Sequence, residues 1–399
     1  MSIIEFKKYE NIPEKKQLNK KKVGIAIGFL AVILIIIIIF SIYVCNRNFR
    51  DFMDKYILRK NVNENSLPYI EIENSQNIHI FAYGKYVAIL EKNKLLQYNS
   101  SGSKTSELEV NISSPITATS EKYILIAEKN KQKAYLISGD KVIWEKDLEG
   151  TISRVNINKN GYSSIIVSGT TYKSVIITYD NTGKEMFKTY LSNTIATDAT
   201  ISNDNKYMSF AEIDTSGTLI QYKIKTVSIE SAKQSPDQSM IYTYQMDTDQ
   251  LVSNIEYQDK NKLVAMCDNG IWILSNGGKE RLVEFKNDIS KITFSGIDLN
   301  NSVFRIEEII YGPLNQASNI EITNTANKKT NLYTINGVAK EVYAEDDIIA
   351  INVGTEVYFV KTNGWLAKKY ISTQEVKNVV VSGKIAGIIY RDKIEFLGL

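Results

Sequence analysis

The side chains of this 399-residue chain that could carry a reaction are few and scattered. His79 is the single histidine, and that removes His-based nucleophilic triads and the common zinc clusters, which need imidazole as base or ligand. It stands in the run Ile78–Ala82, alternating with apolar residues, and reads as a structural strand residue. Carboxylate pairs fall at Glu307-Glu308, Asp346-Asp347 and Asp247-x-Asp249. Neighbours on a strand point to opposite faces, so the first two pairs are poor candidates for a shared acid–base site. Asp247-x-Asp249 has a spacing that suits Ca²⁺, but the loop pattern of an EF-hand is absent and the pair reads as solvated loop charge. Gly277-Gly278-Lys279-Glu280 lacks the spacing and the following Ser or Thr of a phosphate-binding loop, and reads as a hairpin turn. No catalytic, cofactor-binding or metal-binding residue is assigned from the sequence, which points to a non-enzymatic protein.

The elements that would position any site begin with a run from Val23 to Cys45 that holds no charged side chain and follows Lys20, Lys21 and Lys22. As a helix it reaches roughly 34 Å, enough to cross a hydrocarbon core of about 30 Å. The bulky stretch Ile38–Cys45 offers no small-x-small cleavage site, so the segment is expected to remain as a signal anchor in contact with membrane lipid. Lipoprotein-type processing at Cys45 is the alternative, with Val44 standing where a small residue is wanted. Lys7, Lys8, Lys15, Lys16, Lys20, Lys21 and Lys22 precede the span, against Arg47, Arg50, Lys55, Arg59 and Lys60 after it. That bias predicts a short cytoplasmic tail over residues 1–22, with everything after the span outside the cell membrane. Residues 46–66 read as a juxtamembrane stalk. Phe49, Phe52, Met53, Tyr56 and Ile57 form the stripe of an amphipathic helix that lies on the bilayer or self-associates, and Asn61–Ser66 reads as a polar linker. A net charge of +3 excludes a case for nucleic acid. With two cysteines far apart, Cys45 and Cys267, no internal disulfide is expected.

From Leu67 onward the pattern turns to short alternating runs separated by turn residues, and no convincing helix follows the stalk. A unit of four strands recurs about every 42 residues, the period of a propeller blade. It is plainest in Ser153–Asn158, Ser163–Ser168, Ser174–Tyr179 and Glu185–Leu191, with turns at Asn160-Gly161 and Asp180-Asn181-Thr182-Gly183. The final unit, from Val376, supplies three strands, and the run Pro68–Glu73 has the length and alternation to complete it and so close the ring. The fold class is therefore all-β, a β-propeller over residues 67–399. Counting gives eight blades, and seven if Gly312–Asn336 is partitioned differently. Two excursions, Thr226–Thr248 and Tyr311–Ser318, are expected to leave the repeat as solvated extensions.

Tyr179-Asp180-Asn181-Thr182-Gly183-Lys184-Glu185 resembles the turn between the third and fourth strands of quinoprotein-type repeats, and Ile143-Trp144 after Gly139 is similar to their docking tryptophan. Ser202-Asn203-Asp204-Asn205-Lys206-Tyr207 resembles the strand turn of TolB and WD40 repeats, with Asn in place of its Pro and Gly. With its anchor, the chain resembles an uncharacterised Gram-positive family of membrane-anchored propellers. The resemblance implies a fold and no known reaction. Trp144, Trp272 and Trp365 are expected to pack between blades rather than stack on a quinone, and no cofactor is implied. The reading that follows is an envelope scaffold whose propeller rim binds an envelope protein or wall polymer. A quinoprotein-like or hydrolytic enzyme and a single-pass sensor are the alternatives.

Overall fold

The computed structural model describes residues 20–399 except 65, 74–77, 170, 236–237, 248–249, 259–261, 286–291 and 313–314. Most of the basic tail, with Asp249, Pro236 and Asp237, lies outside the described residues. The chain divides into two units, Met1–Lys60 and Asn61–Leu399. In the first, helix α1 (Lys20–Cys45) contains a stretch, Gly24–Cys45, long and apolar enough to cross a membrane. Asn46 takes an extended backbone that ends α1, and its side chain caps α2 (Arg47–Phe52) by accepting the Phe49 N–H at 3.0 Å. A π-helical turn follows over Met53–Ile57.

The second unit is a ring of eight sheets, each of at least four strands. The first strands of the blades are His79–Tyr83, Pro115–Thr119, Thr151–Ile157, Ile195–Ile201, Val252–Tyr257, Ile292–Leu299, Glu341–Glu345 and Asn378–Val381. Each lies beside the first strand of the next blade, and the last returns to the first, so these strands form the inner wall of a closed propeller. Second strands such as Ile124–Glu128 and Ile385–Ile389 are buried at every position because a blade covers each face, and they read as continuous apolar runs. Outer strands such as Lys104–Glu109 keep one polar face.

Closure uses the N-terminal end twice. Tyr69–Glu71 pairs antiparallel with Lys393–Gly398 in blade 8, aligning Tyr69 with Glu395 and Glu71 with Lys393, which is the pairing expected from the sequence. Asn61–Asn63, expected as linker, is instead a strand laid parallel on Leu366–Ile371 as a fifth strand of blade 7. Its three residues are too few and too polar for periodicity to register.

Successive blades interlock through the turn before each fourth strand. Trp144 packs over Gly183 of blade 3, where a Cβ would come within 2.7 Å of the indole, and the residue has φ of +86°. Tyr242 and Asn331 take the same place against Gly277 and Gly364. Of the three tryptophans expected between blades, Trp144 and Trp272 are buried, whereas Trp365 is 43% exposed. Trp365 follows Gly364 directly in the turn, one position outside the docking seat that Asn331 occupies.

The two expected excursions are structured. Thr226–Thr248 holds helix α3 (Ile229–Gln234), capped by Ser228, with Ile229 and Ala232 buried, and then the regular fourth strand Met240–Gln245. A helix of under two turns has no periodicity to reveal it, so the reading of an all-strand domain with a solvated extension is corrected here. Tyr311–Ser318 belongs largely to a long hairpin of Ser302–Gly312 with Asn315–Asn324, an extension of the sheet rather than a departure from it.

Candidate functional site

The inner strands surround a channel, and four of them share a device that sets its chemistry. In blades 3 to 6 the register against the second strand shifts by one residue, at Ile152/Arg154, Ala196/Asp198, Val252/Asn254 and Ile292/Phe294, and blade 6 shifts a second time between Gly296 and Leu299. The extra residue is Ser153, Thr197, Ser253 or Thr293. Its hydroxyl donates to a carbonyl of the second strand, those of Ile166, Ala211, Met266 and Ile306, at 3.2, 3.4, 3.0 and 3.2 Å. A bulge of one residue reverses which side chains face which way beyond it. In these blades the last inner-strand residue is apolar and buried (Ile157, Ile201, Tyr257, Leu299), and the one before it is Asn156, Thr200, Glu256 or Asp298, on the channel. In the other four blades the inner strands pair without a shift, and the corresponding residue is Ala82, Ala118, Ala344 or Val380.

The result is a polar cup. Its wide part, about 600 Å³, is lined along the length of the inner strands, from Ile116, Ser153, Arg154 and Val342 to Thr119, Ile157 and Glu345. Its narrow end is lined by the strand ends and the turns after them, including Asn158, Lys159, Gln258, Asn300 and Asp346. Two bonds cross from one side of the ring to the other there. Thr119 Oγ1 of blade 2 donates to Glu345 Oε1 of blade 7 at 2.9 Å, and Lys159 Nζ of blade 3 donates to Asn300 Oδ1 of blade 6.

The wall is acidic, with Arg154 built into it and Lys159 at its narrow end. Asp198, 1% exposed, accepts from Arg154 Nε at 3.0 Å and from the backbone N–H groups of Ala199 and Ile255 at 3.0 and 2.9 Å. Desolvation still leaves the Asp198 carboxyl above its ordinary range, with Arg154 opposing the rise. Glu256 is raised well above the usual range, first by desolvation and then by the charges of Asp298, Glu345 and Asp198. Asp298 is raised by desolvation and by Asp198, against the pull of Arg154. Desolvation and the neighbouring Asp346 push Glu345 to about 8. Such a wall favours cationic or hydrogen-bond-donating groups and shares protons among its carboxyls. Among the described residues no group of three or more His, Cys, Asp and Glu side chains is placed to hold a metal ion.

Of the carboxylates and histidine singled out by sequence, among the described residues Asp346 reaches this site, where its Oδ2 accepts the Gly383 N–H at 3.2 Å, and Asn203 of the Ser202–Tyr207 turn lines it as well. His79 is half-buried on its strand opposite Leu90. Glu307 is 3.4 Å from Arg305, and Asp247 takes Lys279 at 2.7 Å. Arg154, Asp198, Glu256, Asp298 and Glu345 come from five blades and were missed. Each is unremarkable in its own strand; aligning the repeats on the Ser or Thr of the bulge would have grouped Arg154 with Asp198, one residue on, and Glu256 with Asn156 and Thr200, three residues on, while the second shift in blade 6 puts Asp298 out of that frame.

A model of a family of unknown function, DUF5711, matches residues 58–399. The chain belongs to that family. The DUF5711 match contains the whole propeller. Among solved structures, the chain is similar to the C-terminal WD40 domain of Sif2 at 13% identity and a TM-score of 0.51, covering 84% of this chain and 99% of that one. It is also similar to a eukaryotic initiation factor, at 10% identity and a TM-score of 0.49 over 84% and 86% of the two chains. BamB from Moraxella catarrhalis follows at 11% identity and a TM-score of 0.35 over 71% and 96%. No curated protein matches. The likeness to the WD40 domain supports the propeller fold alone.

Proposed function

We propose that this DUF5711 chain is a single-pass membrane protein, N-terminus inside, whose propeller is a binding or assembly scaffold at the outer side of the bacterial cell membrane. The observation that carries the reading is a run of exposed apolar side chains on one face of blades 3 to 6; a second set, Val142, Ile143, Met240, Ile241, Leu332 and Trp365, lies about the third-to-fourth-strand turns on the opposite face. Tyr172, Tyr190, Ile195, Leu219, Leu251 and Ile310 are 38 to 67% exposed. Tyr172, Leu219 and Leu251 lie in second-to-third-strand hairpins or crossovers between blades, and Tyr190, Ile195 and Ile310 at the strand ends beside them; antiparallel order puts those connections on one face of blades 3 to 6. The Tyr172 and Tyr190 rings are 4.7 Å apart, which joins these two residues of blade 3 into one patch. The wide part of the acidic cup runs along the inner strands and takes in residues near the starts of several of them, among them Ile116, Ser153 and Val342, on the side of that face. Apolar groups concentrated around a polar recess mark a contact surface. The partner is an envelope protein or wall polymer that buries apolar groups on the rim and presents donors or cations to the cup. Affinity capture of the crosslinked full chain from membranes tests this. Tyr190→Glu with Leu219→Glu should abolish recovery of whatever wild type enriches, and enrichment that survives both changes counts against the rim.

A further inference from the structure

The segment that follows α1 does not rise from it as a stalk. Had the helix continued, Asp54 would stand about 16 Å beyond Tyr43 along the axis. Instead the Tyr43 hydroxyl donates to Asp54 Oδ1 at 2.7 Å. Lys60 Nζ completes the knot, 2.8 Å from Asp54 Oδ1 and 3.0 Å from the Tyr43 oxygen. The break at Asn46 lets the chain double back, and Asp54, 4% exposed, is held level with a residue two positions inside the end of the apolar helix. Turned outward from this elbow are Phe52, Tyr56, Ile57 and Leu58, 51, 58, 57 and 50% exposed. Lys55 Nζ sits 4.9 Å from the centre of the Tyr56 ring. Residues 46–60 hold five basic side chains against two acidic ones, and one of those two, Asp54, is already neutralised by Lys60.

We infer that residues 47–60 form a folded-back anchor lying in the lipid headgroup layer, its aromatic and aliphatic groups in the acyl boundary and its cations on anionic headgroups. The inference rests on the single-span reading. Given that span, the knot at Tyr43 leaves the outward groups of the elbow no depth except the interface. Amphipathic rings and Lys or Arg side chains are the types that such a layer selects, the cations being drawn to anionic headgroups.

The test uses the full chain with Tyr56→Trp, and separately Leu58→Trp, in phosphatidylglycerol vesicles whose acyl chains carry bromine just below the headgroup. The three native tryptophans of the unsubstituted chain serve as the blank. The added indole should be quenched several-fold more than the blank, and less so when phosphatidylcholine replaces the anionic lipid. Quenching no greater than the blank, in protein that co-floats with the vesicles, overturns the anchor and leaves the span standing. Protein that does not co-float overturns the span and the anchor with it. Tyr43→Phe combined with Asp54→Ala opens the knot and should remove most of the added quenching. Full quenching in that background overturns the pinned elbow.

Discussion

Glutamates occur both at the seam that closes the ring and in the channel at its centre, and the two sites drive the same side chain in opposite directions. At the seam, Glu64 accepts from Thr373 N and Oγ1 at 2.8 and 2.6 Å, Gln374 Nε2 at 2.7 Å and Ser372 Oγ at 3.0 Å, with Lys393 Nζ at 3.3 Å. Burial alone would raise this carboxyl, but those donors outweigh it and hold it at about 2. Beside it, Glu395 is fully buried and accepts from Tyr370 and Lys393, each at 2.7 Å. In the channel, Glu345 has a single threonine donor and acidic neighbours, and it is raised to about 8. Burial pushes both glutamates the same way. The supply of donors decides which one keeps its charge, and the charged one lies where the ring must not open.

Removing an acceptor at the seam should have the largest effect. Glu395→Ala leaves Lys393 and Tyr370 buried without it and should cost about 3 to 5 kcal/mol in urea unfolding. A loss below about 1 kcal/mol would mean that the seam network does not hold the ring shut. Glu64→Gln should cost about 2 kcal/mol at neutral pH. The stability that Glu64 contributes is present above about 4.5 and is lost as pH falls through about 2, so the variant should also lose that part of the acid limb. In the channel the sign reverses. Glu345 binds its proton more tightly folded than unfolded, so its contribution is complete below about 4.5 and is lost as pH rises through about 8. Glu345→Gln should therefore stabilise by about 1 kcal/mol above that range, discounted for channel water, and by nothing in acid. A Gln variant equally stable relative to wild type at both ends would remove the contrast. Lys159→Met, which cuts an exposed tie to Asn300, should change stability by less than about 0.5 kcal/mol.

The ring itself was legible because each blade repeats a pattern that local chemistry enforces. The turn Asp180-Asn181-Thr182-Gly183 announces itself by an Asp whose carboxyl takes the N–H groups of Thr182 and Lys184 and a Gly at positive φ. The return of Pro68–Glu73 to the last blade followed from a missing strand. Asn61–Asn63 and α3 were hidden because a strand of three residues, two of them Asn, and a helix of six mixed ones carry no period. The cup was hidden for a different reason. Ser153, Thr197 and Ser253 look like ordinary strand residues, and nothing local says that each adds one residue to a register ahead of Asn156, Thr200 and Glu256, or that blade 6 shifts twice before Leu299 and so places Asp298.

The linear order of residues by itself determined an apolar helix of membrane-crossing length, the blade repeat and the partner strand for the final blade, because these depend on composition and on spacings shorter than one blade. The folded ring alone decided which carboxylates meet. Asp198, Glu256, Asp298 and Glu345 lie up to 147 positions apart in sequence, from 198 to 345, and become neighbours only when closure brings four inner strands around one axis. Their protonation follows from that crowding and from the donors other blades supply, which are long-range quantities that no stretch of chain encodes.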